Sequence, residues 1–233
     1  MSHSPAQSLA AHTRLNTGLL AAVETRTLCW IARRLPSPVN SDHLSALGLA
    51  AMAAAGVCFA AFPYSSWAVV GVVVSLVINW FGDSLDGTVA RVRNQQRPRY
   101  GFYVDHVIDL AGTTFLLGGL ACSGLMSPLT AALTLAGFLL VSAETYLATH
   151  ASGIFRMSFM GFGPTELRIL IAIGALKAAT DPWVSFGALG SVRLFDLGGA
   201  IAAASMAIVF VVSATRNTLA LSAADPRPVG RES

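Results

Sequence analysis

Residues 66–90 read SWAVVGVVVSLVINWFGDSLDGTVA. No charged residue occurs in this stretch before Asp83, and a helix needs only about 20 mostly apolar residues to cross the hydrocarbon of a bilayer. The segment therefore reads as a membrane span whose far end carries two carboxylates. Starting near Ser65, Asp83 and Asp86 lie about 27–31 Å along the helix axis, near the opposite face. Gly82 and Gly87 lighten the helix around them. Beyond Arg91 an arginine-rich loop, Val92–Tyr100, leads into GFYVDHVID, residues 101–109. A second span climbs back from there, with Asp105 and Asp109 one and two turns in. The two acid pairs are thus expected at one depth, on neighbouring antiparallel helices.

The rest of the chain agrees with a membrane protein. Of 233 residues, 54% are hydrophobic and 12% charged, against about 25% charged in soluble domains. Six candidate spans occupy about 44–62, 66–90, 102–123, 129–149, 166–179 and 197–215, the fifth being short. The expected fold is an all-α integral-membrane bundle of six transmembrane helices preceded by an amphipathic interfacial helix. Its parts are a disordered N-terminus (1–14), a surface helix (15–35), a six-helix catalytic domain (36–220) and a polar tail (221–233). No secretory signal peptide is expected, because the first fourteen residues lack an apolar core. Cys29, Cys58 and Cys122 have neither metal nor redox spacing and read as small buried hydrophobes.

Orientation follows from Lys and Arg beside the spans. With the N-terminus inside, thirteen of the fifteen basic residues fall at the inner side, and only Lys177 and Arg193 outside. Six spans with both termini cytoplasmic fit this bias, and five would spoil it. The basic residues meet the anionic inner leaflet. They flank spans and are not interleaved with stacking aromatics, so nucleic acid is not an expected partner. In residues 15–35, Leu15, Leu19, Leu20, Val23, Leu28, Trp30, Ile31 and Leu35 alternate with Glu24, Arg26, Arg33 and Arg34, a pattern for a helix lying on the surface. Pro36 and Pro38 end it, and Ser41 or Asp42 is expected to cap the first span.

Carboxylates in apolar surroundings persist when paired or metal-bound. Asp83 and Asp86 are spaced i,i+3 and Asp105 and Asp109 i,i+4, so each pair shares a helix face. Four such groups cannot all stay ionised together without cations. Oxygen ligands without His or Cys select Mg²⁺ or Mn²⁺, and the ligand count allows two ions. Paired ions of this kind clamp the oxygens of a displacement at phosphorus. Arg91 offers either a phosphate fork or a plain inner-surface charge. His106 offers either a base near neutrality or a packed polar side chain. Glu166, behind the Gly163-Pro164 turn, either caps its own helix or orients substrate. For Glu144 and His150, structural pairing is the default. A transporter or channel is the alternative reading of intramembrane acids, although these cluster at one end and form no ladder across the bilayer.

The pattern Asp83-x-x-Asp86-Gly87-x-x-Ala90-Arg91, then Gly101-x-x-x-Asp105-x-x-x-Asp109, resembles the signature of the CDP-alcohol phosphotransferases. The six-span layout with a surface helix is similar too. The resemblance implies that Asp83, Asp86, Asp105 and Asp109 bind two Mg²⁺ or Mn²⁺ ions that hold the diphosphate of a CDP-linked donor. It implies that Gly87, Ala90, Arg91 and Gly101 shape the nucleotide pocket, that Asp109 takes the proton of the attacking alcohol, and that CMP leaves. Donor and acceptor are the implied partners, one of them a lipid, in a homodimer among membrane lipids, in the inner membrane if the source is bacterial.

The Asp105-His106 step and Gly163-Pro164-Thr165-Glu166 are similar to choline/ethanolamine phosphotransferases, in which the histidine and glutamate help deprotonate diacylglycerol. The compact form is similar instead to enzymes that use CDP-diacylglycerol with a polar alcohol. Both acceptor classes stay open. Val92 replaces the second arginine of the former subgroup, and Asn40-Ser41-Asp42-His43-Leu44-Ser45 stands where many relatives have Thr-Pro-Asn-x-Leu-Thr.

Overall fold

A computed structural model describes residues 21–152, 164–187 and 190–225, with side chains from Thr25 onward. The expected disordered N-terminus, the start of the surface helix, the turn glycines Gly153, Gly161 and Gly163, and the tail beyond Asp225 lie outside the described residues.

Among the described residues, seven α-helices follow in order: α1 (Ala21–Arg34), α2 (Ser41–Ala60), α3 (Ala68–Val92), α4 (Pro98–Cys122), α5 (Pro128–Ser152), α6 (Pro164–Thr180) and α7 (Leu194–Ala224). Between α6 and α7 a short antiparallel hairpin pairs β1 (Trp183–Ser185) with β2 (Ser191–Arg193). This small ornament was not read from the sequence. Five helices, α2, α3, α4, α5 and α7, are long and apolar enough to cross a membrane, so the protein is a multi-pass membrane bundle. The fifth expected span corresponds to α6, whose 17 residues fall short of that length.

Local chemistry sets the helix ends. Asn40, not Ser41 or Asp42, caps α2. Its extended backbone lets the side chain accept the His43 N–H at 3.0 Å, while the His43 ring faces the Asn40 N–H. An N-cap must lie outside helical φ/ψ, and Ser41 is already inside the helix. After α3, Asn94 sits at φ 54°, a left-handed conformation that asparagine tolerates. Pro98 then opens α4 at a position where its missing N–H costs nothing.

The acid-bearing helices α3 and α4 are not packed on one another as direct neighbours: α2 lies against both. Cys58 meets Gly71, Gly48 meets Asn79, and Ser45 meets Asp86, so α3 runs antiparallel to α2. Met52 meets Gly112 and Gly56 meets Phe115, so α4 runs parallel to it. Small residues permit these approaches. A Cβ on Gly119 would lie 2.0 Å from the Gly56 carbonyl oxygen, and one on Gly82 would lie 2.6 Å from the Leu44 carbonyl oxygen. Close backbone contact of this kind is how helices associate where lipid removes the hydrophobic drive.

The main apolar core surrounds Phe59, Val72, Leu76 and Leu116 and extends to Ala175 and Ala178 of α6. A second core joins Leu28 and Ala32 of α1 to Leu44, Leu85 and Val89, which fixes α1 against the acid-bearing end of α3. Arg93, read from sequence as a surface charge, donates to the carbonyls of Leu35, Pro36, Ser37 and Val39. It ties the α1–α2 connection to the end of α3.

Candidate active site

The acid pairs of α3 and α4 approach each other at Asp86 and Asp105. The Ser45 hydroxyl donates to Asp86 Oδ2 at 2.5 Å. Asp86 lies within electrostatic range of both Asp83 and Asp105. Asp83, Asp86 and Asp105 are half-buried and Asp109 is exposed.

Neighbouring groups already engage these carboxylates. The Asp86 carboxylate also accepts the Gly87 N–H. Asp83 Oδ2 accepts Arg168 Nη2 at 2.6 Å, and Arg168 Nε donates to Asn79 Oδ1 at 2.7 Å. Asn79 is buried and anchored in turn, its Nδ2 donating to the Gly48 carbonyl at 2.9 Å. Sequence reading missed Ser45, Asn79 and Arg168 as members of the site. Arg168 was counted only as an inner-side charge, although an arginine two residues beyond Glu166 in an apolar helix was a usable signal.

Arg91 folds back along α3. Its Nη2 donates to the Thr88 hydroxyl at 3.0 Å, and Nη1 lies over Gly87, where a Cβ would come within 3.3 Å of it. Gly101 is exposed, and a Cβ there would meet nothing within 4 Å. Ala90 lines a cleft of about 410 Å³ together with Asn40, Ser41, Asp42, Gln95, Gln96 and Arg97. Arg97 pairs with Asp42 at its rim and stacks 4.0 Å over Tyr100. The Asp42 hydrogen bond holds the Arg97 guanidinium above even its ordinary high pKa, against a smaller opposing effect of desolvation.

His106 packs between two rings, 4.1 Å from the Phe102 centroid and 5.0 Å, edge-on, from Tyr146 of α5. Its Nδ1 lies 2.6 Å from the Phe102 carbonyl. A carbonyl only accepts, so Nδ1 carries the proton and Nε2 is the basic nitrogen of the neutral ring. Tyr146 lies within electrostatic range of Asp105 and Asp109, which puts His106 at the acid cluster. Glu166 sits in the first turn of α6. Glu144 belongs elsewhere: it accepts Ser213 Oγ at 2.8 Å and Asn217 Nδ2 at 2.7 Å, bridging α5 to α7, the structural role expected for it.

The donor set suits a hard divalent cation, since the acids of α3 and α4 offer oxygens only. Among the described residues, no three His, Cys, Asp or Glu side chains are gathered closely enough to hold an ion as they stand. Asp83 would first have to exchange Arg168, and Asp86 the Ser45 hydroxyl, for metal.

Comparison with curated proteins finds no match. The family profile of CDP-alcohol phosphatidyltransferase matches residues 42–213, a range that holds α2 to α6, most of α7 and both acid pairs. The chain belongs to this family of membrane transferases, which make phospholipids by phosphotransfer from a CDP-alcohol.

Proposed function

We propose that the protein transfers a substituted phosphate from a CDP-linked donor to an alcohol, one of the two being a lipid, in a reaction supported by divalent ions. Asp83, Asp86, Asp105 and Asp109 would hold Mg²⁺ or Mn²⁺, two ions by ligand count. Bound there, the cations would neutralise the donor's diphosphate, and charge neutralisation with positioning supplies most of phosphoryl-transfer catalysis. The observation that supports the reading is the approach of two family-motif acid pairs at Asp86 and Asp105, with Ser45 of α2 bonded to Asp86.

In the reaction the acceptor oxygen forms a bond to the donor's distal phosphorus and the bond from that phosphorus to CMP breaks. The acceptor's proton goes to a carboxylate or to imidazole. Asp109 is the exposed acid of the cluster and takes that proton, with His106 presenting Nε2 as the alternative base and Glu166 orienting the acceptor. Gly87, Ala90, Arg91 and Gly101 line the nucleotide's approach. The open backbone at Gly101 leaves room for it, the Arg91 guanidinium over Gly87 faces it, and the cleft beside Ala90 extends that surface. α6 follows the bundle from Arg168 at Asp83 to Gly174 against Phe195, which meets Phe59 edge to face. A sixth crossing by α6 puts both termini and the site on the cytoplasmic side.

The test is CMP release from purified protein with Mg²⁺ and a matrix of donors (CDP-diacylglycerol, CDP-choline, CDP-ethanolamine) and acceptors (polar alcohols, diacylglycerol). Metal-dependent CMP release with one donor class supports the proposal and assigns the acceptor. Cation flux across liposomes without CMP release would replace it with a transporter.

A further inference from the structure

Arg168 holds a carboxylate that the metal reading assigns to a divalent ion. Its Nη2 donates to Asp83 Oδ2 at 2.6 Å, and the two side chains are 15% and 17% exposed. An unpaired carboxylate this far from water is costly, as is its repulsion with Asp86. An arginine from α6 relieves both. The other side of the guanidinium is held differently: Nε donates to Asn79 Oδ1, and Asn79 is itself fixed on the Gly48 carbonyl of α2. The Asn79 contact is neutral and indifferent to the charge on Asp83, whereas the Asp83 contact depends on it.

Resting on the metal reading above, we infer that Arg168 is the built-in counter-ion of Asp83, displaced from the carboxylate as a divalent ion loads and kept beside it by Asn79. Two cations on one carboxylate oppose each other, so Arg168 lowers metal affinity. It offsets the Asp83 charge while the site is metal-free, and it makes the seating of α6 against α3 sensitive to metal loading. Arg168 is thus a positioning residue whose guanidinium is freed at the site when the metal arrives.

The experiment measures Mn²⁺ binding to the full-length protein in nanodiscs, without substrate, from the electron paramagnetic resonance signal of free Mn²⁺. Arg168→Gln should bind Mn²⁺ roughly tenfold more tightly than wild type, the scale on which a neighbouring cation alters a carboxylate's affinity for another. Arg168→Lys keeps the charge but cannot span Asn79 and Asp83 as a fork. It should tighten binding by roughly threefold, and it serves as the reading if the glutamine variant does not fold. In an Asp83→Asn background the Arg168→Gln effect should vanish. Unchanged or weaker Mn²⁺ binding in both Arg168 variants, with wild type binding normally, would overturn this inference and leave the metal reading standing. Absence of Mn²⁺ binding in wild type and variants alike would remove the metal reading, and this inference with it.

Discussion

Two pairs of helices in this bundle are held together by different means. In α2 and α3, 39% of each span's apolar window is buried, against 11% in α5 and 6% in α7. The first pair closes through small residues, with Gly48 and Gly82 bringing backbones together. The second pair turns most of its Leu, Ile and Val outward and is pinned by polar bridges. Glu144 takes hydrogen bonds from Ser213 and Asn217 near one end, and Asp196 takes the Ser127 N–H at 2.7 Å near the other. In lipid both solutions work, because close packing and interhelical hydrogen bonds replace the missing hydrophobic drive. The tightly packed pair holds Ser45, Asp83 and Asp86 together, and so carries the α3 half of the candidate site. The α5–α7 pair supplies an apolar, outward-facing flank.

The sharpest way to break this contrast is to neutralise one carboxylate on each side. Asp83→Asn or Asp86→Asn should reduce CMP release by about a thousandfold, consistent with the several kcal/mol that bound metal contributes to a phosphoryl transition state. Glu144→Gln, which can still accept from Ser213, should stay within about threefold of wild type. Comparable losses on both sides would place chemistry in the α5–α7 interface. Substantial turnover in two of the α3 and α4 aspartate variants would remove the metal role.

A second comparison uses one substitution with opposite signs. Gly119→Ala drives a Cβ into the Gly56 backbone and should destabilise by about 1–3 kcal/mol, as overpacking does. Gly198→Ala on α7 meets nothing within 4 Å and should stabilise by up to about 1 kcal/mol through helix propensity. Thermal unfolding in nanodiscs reads both. Equal effects would mean that α2 and α4 are not in backbone contact. The loss in Glu144→Ala should fall in the lower part of the Gly119→Ala range, about 1–2 kcal/mol for the two interhelical hydrogen bonds removed. A null result there would leave α5 and α7 held by packing and by the bridge from Asp196 to the Ser127 N–H.

The sequence makes the spans and the acid pairs legible for the same reason: both are periodic. Apolar length announces a crossing helix, and the i,i+3 and i,i+4 spacings place the aspartates on helix faces before any packing is known. The insertion of α2 against both α3 and α4 is a tertiary fact. Its signal is diffuse, carried by Gly48, Gly56, Gly112 and Gly119, any of which could serve another purpose. Arg93 and Arg168 illustrate the same limit. Both were counted as inner-side charges, which fits membrane orientation. One instead binds four carbonyls of the α1–α2 connection and the other binds Asp83. Residue type gave their charge, and only the fold supplies their partners. α6 is short for a span in the sequence and remains so in the structure, at 17 residues.

The weakest expected effect lies in the hairpin region, where neither mode of helix packing operates. Asp181 Oδ1 accepts the Trp183 N–H at 3.1 Å and Oδ2 pairs with Lys177 at 3.1 Å. The Trp183 hydrogen bond first, and Lys177 second, hold this exposed carboxyl below its ordinary value of 3.8. A depressed folded pKa contributes stability that is present above the unfolded value and is lost as pH falls through the folded one. Wild type should therefore melt slightly above Asp181→Asn at neutral pH. The gap should shrink below about pH 3.8 and close once the folded-state carboxyl is protonated. Because the group is fully exposed, salt should erode the Lys177 share of the gap. Lys177→Met should leave the share owed to the Trp183 N–H, which lies inside the turn and does not depend on ionic strength. A gap that widens on acidification would mean that Asp181 is bound more tightly in its protonated form, contrary to the two donors that face it.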